Sequence, residues 1–134
     1  MSVENVELVR QVVEAINQRD ADAFVATVSP DVEWEDAVFW TETPHTFRGR
    51  AGVREWLSQI LEPWESFHVE ADEVTDASAD RFVVGFDFIA RGKESGVQTQ
   101  LRFWALCWVA DGRITRREVF RERAEALEAA GLSE

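Results

Sequence analysis

The chain has no tyrosine, one cysteine and two histidines among its 134 residues. Without tyrosine, no phenol is available to donate a proton or a hydrogen bond. The lone Cys107 forms neither an internal disulfide nor a thiolate metal cluster. His45 and His68 stand far apart with no ligand spacing around them, which argues against a metal site. Positive charge is also scarce: 14 basic residues face 26 acidic ones, a formal net charge of -12. Phosphate backbones and anionic membrane surfaces are repelled by such a chain, so neither nucleic acid nor a membrane is an expected partner. Long apolar runs are missing too. The longest, Phe103 to Ala110, is too short to span a bilayer, and the acidic start Met1-Ser2-Val3-Glu4-Asn5-Val6-Glu7 has no apolar signal core. A cytoplasmic protein is the expectation.

What the chain does have is material for a core. Hydrophobic residues make up 46% and charged residues 30%, the balance of a folded rather than a disordered chain. At this length one domain, residues 1–134, can bury roughly two thirds of its unfolded surface. Ser2 caps a first helix whose apolar residues Val6, Val9, Val13 and Ile16 recur at helical spacing. Asp20 caps a short second helix carrying Phe24 and Val28, which Ser29-Pro30-Asp31 closes. A third helix starts between Gly49 and Gly52. Its inward stripe is Val53, Trp56, Leu57, Ile60, Leu61 and Trp64, and Pro63 bends or ends it.

Strands dominate the rest. Phe67, Val69 and Ala71 alternate with polar residues, and so do Phe82, Val84, Phe86, Phe88 and Ala90. A long strand from Val97 to Val109 carries apolar residues on both faces, with Phe103, Ala105 and Cys107 on one and Trp104, Leu106 and Trp108 on the other. Asp111-Gly112 marks a tight turn into a last strand, and Arg123 to Ala130 forms a short helix stopped by Gly131. Helices grouped against such a sheet define an α+β domain. The second apolar face of the long strand is a candidate dimer interface.

The most informative stretch is Val32-Glu33-Trp34-Glu35-Asp36. Strand alternation puts Val32, Trp34 and Asp36 on the core face and both glutamates on the other. An aspartate on an apolar face must be paired, hydrogen-bonded or kept protonated. Asp36 is therefore the candidate general base, with a structural hydrogen-bond acceptor as the alternative. Residues Ala37 to His45 read as a loop, in which His45 is a secondary acid/base candidate against the alternative of a solvent-facing residue. Trp34, Trp40, Phe47, Trp56 and Phe103 either line a pocket for a flat apolar ligand or fill the core. Arg117 and Arg121 share a strand face with Thr115 and Val119. An arginine there could neutralise Asp36 or grip a substrate oxygen, but a solvated edge or a salt bridge to Glu118 or Glu122 is the expected role.

The order of elements resembles the SnoaL-like branch of the nuclear transport factor 2-like superfamily. The residues that carry the likeness are Pro30-Asp31-Val32-Glu33-Trp34, Phe47-Arg48-Gly49-Arg50-Ala51-Gly52-Val53, Ser95-Gly96-Val97, Asp111-Gly112-Arg113-Ile114 and Arg123-Ala124-Glu125-Ala126-Leu127. The resemblance implies a cone-shaped, curved antiparallel sheet with three N-terminal helices on its concave face, a pocket in the open end, and often a dimer formed through the sheet. It implies no single activity, since relatives include ketosteroid isomerases, polyketide cyclases, epoxide hydrolases and non-catalytic binding modules. Asp36 resembles the isomerase general base, which follows a glutamate at the end of the same strand. The isomerase phenol falls near Val12 and its second acid near Ala105, so those donors are missing here. The epoxide hydrolase set of two aspartates and an arginine lacks its second aspartate, because Asp87 falls on the polar face. The expectation is a cofactor-free, metal-free protein that binds a small, mostly apolar molecule. It is either an isomerase, cyclase or hydrolase using Asp36, or a non-catalytic ligand-binding or dimerisation module.

Overall fold

The structure is a computed structural model that describes residues 2–37 and 45–132. Helix α1 (Val3–Asn17) begins where the Ser2 hydroxyl accepts a hydrogen bond from the Asn5 amide at 3.2 Å. Helix α2 (Ala21–Val25) begins where the Asp20 carboxylate accepts from the Ala23 amide at 3.0 Å. Both caps satisfy amides that have no partner inside their helix. Strand β1 (Val28–Asp36) follows, then β2 (His45–Arg48), α3 (Gly49–Leu61), β3 (Trp64–Ser78), β4 (Arg81–Gly92), β5 (Gln98–Ala110), β6 (Arg113–Phe120) and α4 (Arg123–Ala129).

The six strands form one curved, unclosed sheet in the order β2-β1-β6-β5-β4-β3. Four neighbouring pairs are antiparallel, but β1 and β6 run parallel, so the sheet is mixed where an antiparallel one was expected. That parallel pair brings the first and last strands of the chain side by side, a pairing that no local pattern announces. The main core lies between the sheet and helices α1, α2 and α3. A second, smaller core lies on the other face, where Ala126, Leu127 and Ala130 pack on Val83, Trp104 and Leu106. Helix α4 thus covers much of the face assigned above to a dimer contact, which explains why β5 is apolar on both sides. Arg102 and Arg123 stack over Trp104 at 4.5 and 5.9 Å, and Arg116 stacks over Trp108 at 4.9 Å.

Three boundaries differ from the sequence reading. Strand β1 begins at Val28, so Pro30 lies inside a strand rather than closing a helix. The β1–β6 register shifts between Val28 and Glu33, so the missing proline N–H breaks no ladder bond there. Strand β2 was not expected, because four residues are too few to show alternation. It pairs with β1 through Asp36 opposite His45 and Trp34 opposite Phe47. Helix α3 stops at Leu61, and Trp64 opens β3 instead of extending the helical stripe.

At the edge strand β3, a side chain stands in for a strand. Asn17 donates from Nδ2 to the Val69 carbonyl at 3.0 Å and accepts from the Val69 amide at 2.8 Å. The last residue of α1 thereby satisfies both backbone groups of Val69 and ties the helix to the rim of the sheet.

Candidate functional site

Strand alternation does what the sequence suggested at β1. Val32, Trp34 and Asp36 point into the main core, and Asp36 is 0% exposed. The inward stripe of α3 delivers Trp56, whose indole Nε1 donates to Asp36 Oδ2 at 2.7 Å. Phe24 completes the cluster. Its ring lies 5.5 Å from Trp34 at an edge-to-face angle of 84° and 5.8 Å from Trp56 at 21°, while the two indoles meet at 5.2 Å and 63°.

The residue that the sequence reading undervalued is Arg117. It is 5% exposed, not a solvated edge residue. Its guanidinium carbon lies 4.0 Å from the Trp34 ring centroid and 4.9 Å from that of Trp56, and its Nη2 donates to the Glu35 carbonyl at 2.7 Å. The reason is a bulge. Trp108 pairs with Arg116 and Val109 with Ile114, so Thr115 is an extra residue on β6, and Ile114 and Arg117 both face inward. Arg121, by contrast, is exposed.

Charge at the site follows from burial. Desolvation pulls the Arg117 guanidinium down to about 10, with the nearby Asp36 carboxylate opposing that shift, so Arg117 is still protonated at neutral pH. Burial pushes the Cys107 thiol up to about 12, against a smaller opposing pull from Arg117. Such a thiol is a packing group and a poor nucleophile, as its apolar setting suggested. Glu35, on the outward face of β1, is raised by partial burial and by Glu118 beside it.

A cavity of about 40 Å³ lies between the helices and the sheet. Its wall includes Trp34, Trp56, Phe103, Cys107 and Arg117, and among the described residues Arg117 is the only charged member. Val12 and Ala105, where ketosteroid isomerases carry their donors, also lie on it and are apolar. Asp36 and Phe47 are buried but are not on this wall. Phe47 meets the ring of His45 edge-to-face at 4.5 Å, and His45 is exposed. Trp40 lies outside the described residues. Asp87 is ion-paired with Arg102 at 3.3 Å, away from the cavity wall. Two buried donors, Trp34 Nε1 and Arg117 Nε, have no hydrogen-bond partner among the described residues. Among those residues no group of three histidine, cysteine, aspartate or glutamate side chains is arranged to hold a metal ion, and no helix is long and apolar enough to cross a membrane.

A cone of this kind, with a buried acid at the end of β1 and an apolar hollow beside it, defines a class of protein rather than one activity. Residues 9–117 match the SnoaL-like domain family, and the chain belongs to that family. Solved structures agree on the fold. A nuclear transport factor 2-like protein of unknown function from Burkholderia pseudomallei is 25% identical, with a TM-score of 0.75 over 96% of this chain and 97% of that one. A ketosteroid isomerase-like protein from Catenulispora acidiphila, in complex with trimethylamine, is 17% identical, with a TM-score of 0.76 over 94% and 93%. A Mycobacterium tuberculosis protein in complex with estradiol-17β-hemisuccinate is 14% identical, with a TM-score of 0.76 over 91% and 96%. A comparison with the curated proteins found no match.

Proposed function

We propose that this chain is a cytoplasmic binding protein for a small, mostly apolar molecule, held in the cavity between the sheet and helices α1 and α3. The observation that carries the reading is the wall itself: aromatic and aliphatic side chains throughout, with one cation, Arg117. The complexes of structural relatives with trimethylamine and with a steroid ester support it as analogies of fold. Asp36 fits a positioning role better than that of general base. Its Oδ2 is engaged by Trp56, and it lies off the wall, where a substrate proton would have to come within hydrogen-bond reach. In this reading the carboxylate fixes the Trp56 indole and balances Arg117. A homodimer through the part of the outer sheet face that α4 leaves half-covered, around Trp108, accompanies the proposal.

Size limits the ligand. A cavity of about 40 Å³ is well below the ~150 Å³ that admits benzene elsewhere, so even one ring requires wall side chains to move. The test is a titration with single-ring apolar compounds, followed by tryptophan emission, since Trp34 and Trp56 are on the wall. A saturable change accompanied by a rise in unfolding temperature is expected. If no ring compound does either, the binding reading fails. If a compound is turned over, and Asp36→Asn stops turnover while leaving binding intact, Asp36 is the general base after all.

A further inference from the structure

The two unpaired donors on the cavity wall belong to one stacked pair, because the Arg117 guanidinium lies over the Trp34 ring at 4.0 Å. Neither can turn freely to find another acceptor. Arg117 is tied by its Nη2 to the Glu35 carbonyl and packed between two indoles, and Trp34 is wedged against Phe24 and Trp56. Buried N–H groups are ordinarily satisfied, so two orphans on the wall of one cavity ask for an acceptor from outside the chain.

Charge decides which acceptor. Asp36 already acts on Arg117 as an opposite charge, so the cluster is balanced as it stands. A carboxylate ligand would bring a second, uncompensated negative charge into an apolar hollow, which is costly. A carbonyl oxygen accepts the same hydrogen bonds and brings no charge. We infer that the cavity selects small apolar molecules bearing a neutral carbonyl oxygen, received by Arg117 Nε and Trp34 Nε1. This rests on the binding reading above and names the chemical class that the site takes.

The test compares cyclohexanone with methylenecyclohexane, which has the same shape but no acceptor, and with cyclohexanecarboxylate. Dissociation constants are measured by ligand-observed NMR on the full chain, on Arg117→Met and on Trp34→Phe. The quantity read is the ratio of the ketone constant to the hydrocarbon constant, which cancels changes in cavity shape common to both rings. That ratio is expected to worsen by about tenfold in Arg117→Met and by several-fold in Trp34→Phe. The carboxylate is expected to bind the parent chain more weakly than the ketone. Trp34→Phe keeps the ring stack and decides the matter alone if Arg117→Met fails to fold. A ratio unchanged within twofold in the folded variants overturns the inference while leaving the binding reading intact. A carboxylate that binds more tightly than the ketone overturns the claim of neutrality. If neither the ketone nor the hydrocarbon binds, the binding reading falls together with the inference.

Discussion

Asp36 and Arg117 hold opposite charges inside the molecule, and each is fixed by aromatic rings. Asp36→Asn keeps the shape and removes the charge. It weakens the bond from Trp56 and leaves Arg117 buried without its counter-charge. The expected cost is about 1.5–3 kcal/mol, read as a fall of several degrees in the unfolding midpoint. An unchanged or higher midpoint would mean that the carboxylate is kept at a cost for chemistry. Glu35 makes a contrasting prediction. Its folded pKa is raised by burial and by Glu118, so its contribution favours folding below the ordinary carboxylate range and is lost as pH rises through the folded value. Glu35→Gln should therefore raise the midpoint by about 1–3 °C at pH 7, in keeping with a half-exposed group, and change it little at pH 4. Thermal melts of parent and variant at the two pH values check the sign. The inward placement of Asp36 was legible because two-residue alternation is the strongest signal that a strand carries. Arg117 was not, because one extra residue at Thr115 resets the alternation, and nothing in Arg113-Ile114-Thr115-Arg116-Arg117 marks a bulge.

At the scale of elements, the contact between α1 and β3 is the one most open to test. Asn17 makes both hydrogen bonds that a seventh strand would have made at Val69. Asn17→Ala removes both and should cost about 1–3 kcal/mol. Asn17→Asp keeps the acceptor and loses the donor, so its cost should fall between the parent and the alanine variant. Amide hydrogen exchange at Val69 should quicken in Asn17→Ala while the β4 amides keep their protection; equal change in both strands would mean that the whole fold, not the rim, was loosened. The helices were legible in sequence through caps and periodicity, and Ser2 and Asp20 cap as expected. Strand β2 was hidden by its brevity, and Trp64 was misplaced because a helical stripe and a strand that begins just after Pro63 share the same spacing up to that point. The role of α4 was half legible. Its apolar residues were visible, but which face they would cover depended on a sheet order that runs β5 next to β6 and β6 next to β1.

At the scale of the whole molecule, the order of elements carried the fold, since the SnoaL-like pattern extends along most of the chain. What the order could not carry was the interior. Whether apolar residues fill a cone or line it depends on volumes summed over both layers, and here they nearly fill it. The molecule must therefore breathe to admit anything, and it contains a means of timing that motion. Cys107 is its single thiol, buried on the cavity wall and held in the unreactive protonated form. A disulfide reagent added to the folded protein should react orders of magnitude more slowly than with an unfolded chain, at a rate that reports how often the interior opens. A compound that occupies the cavity should slow the reaction further, and immediate labelling would show that the interior is accessible at rest. Cys107 is thus a stopwatch for the opening of the cone, and it can be read without introducing any label or mutation.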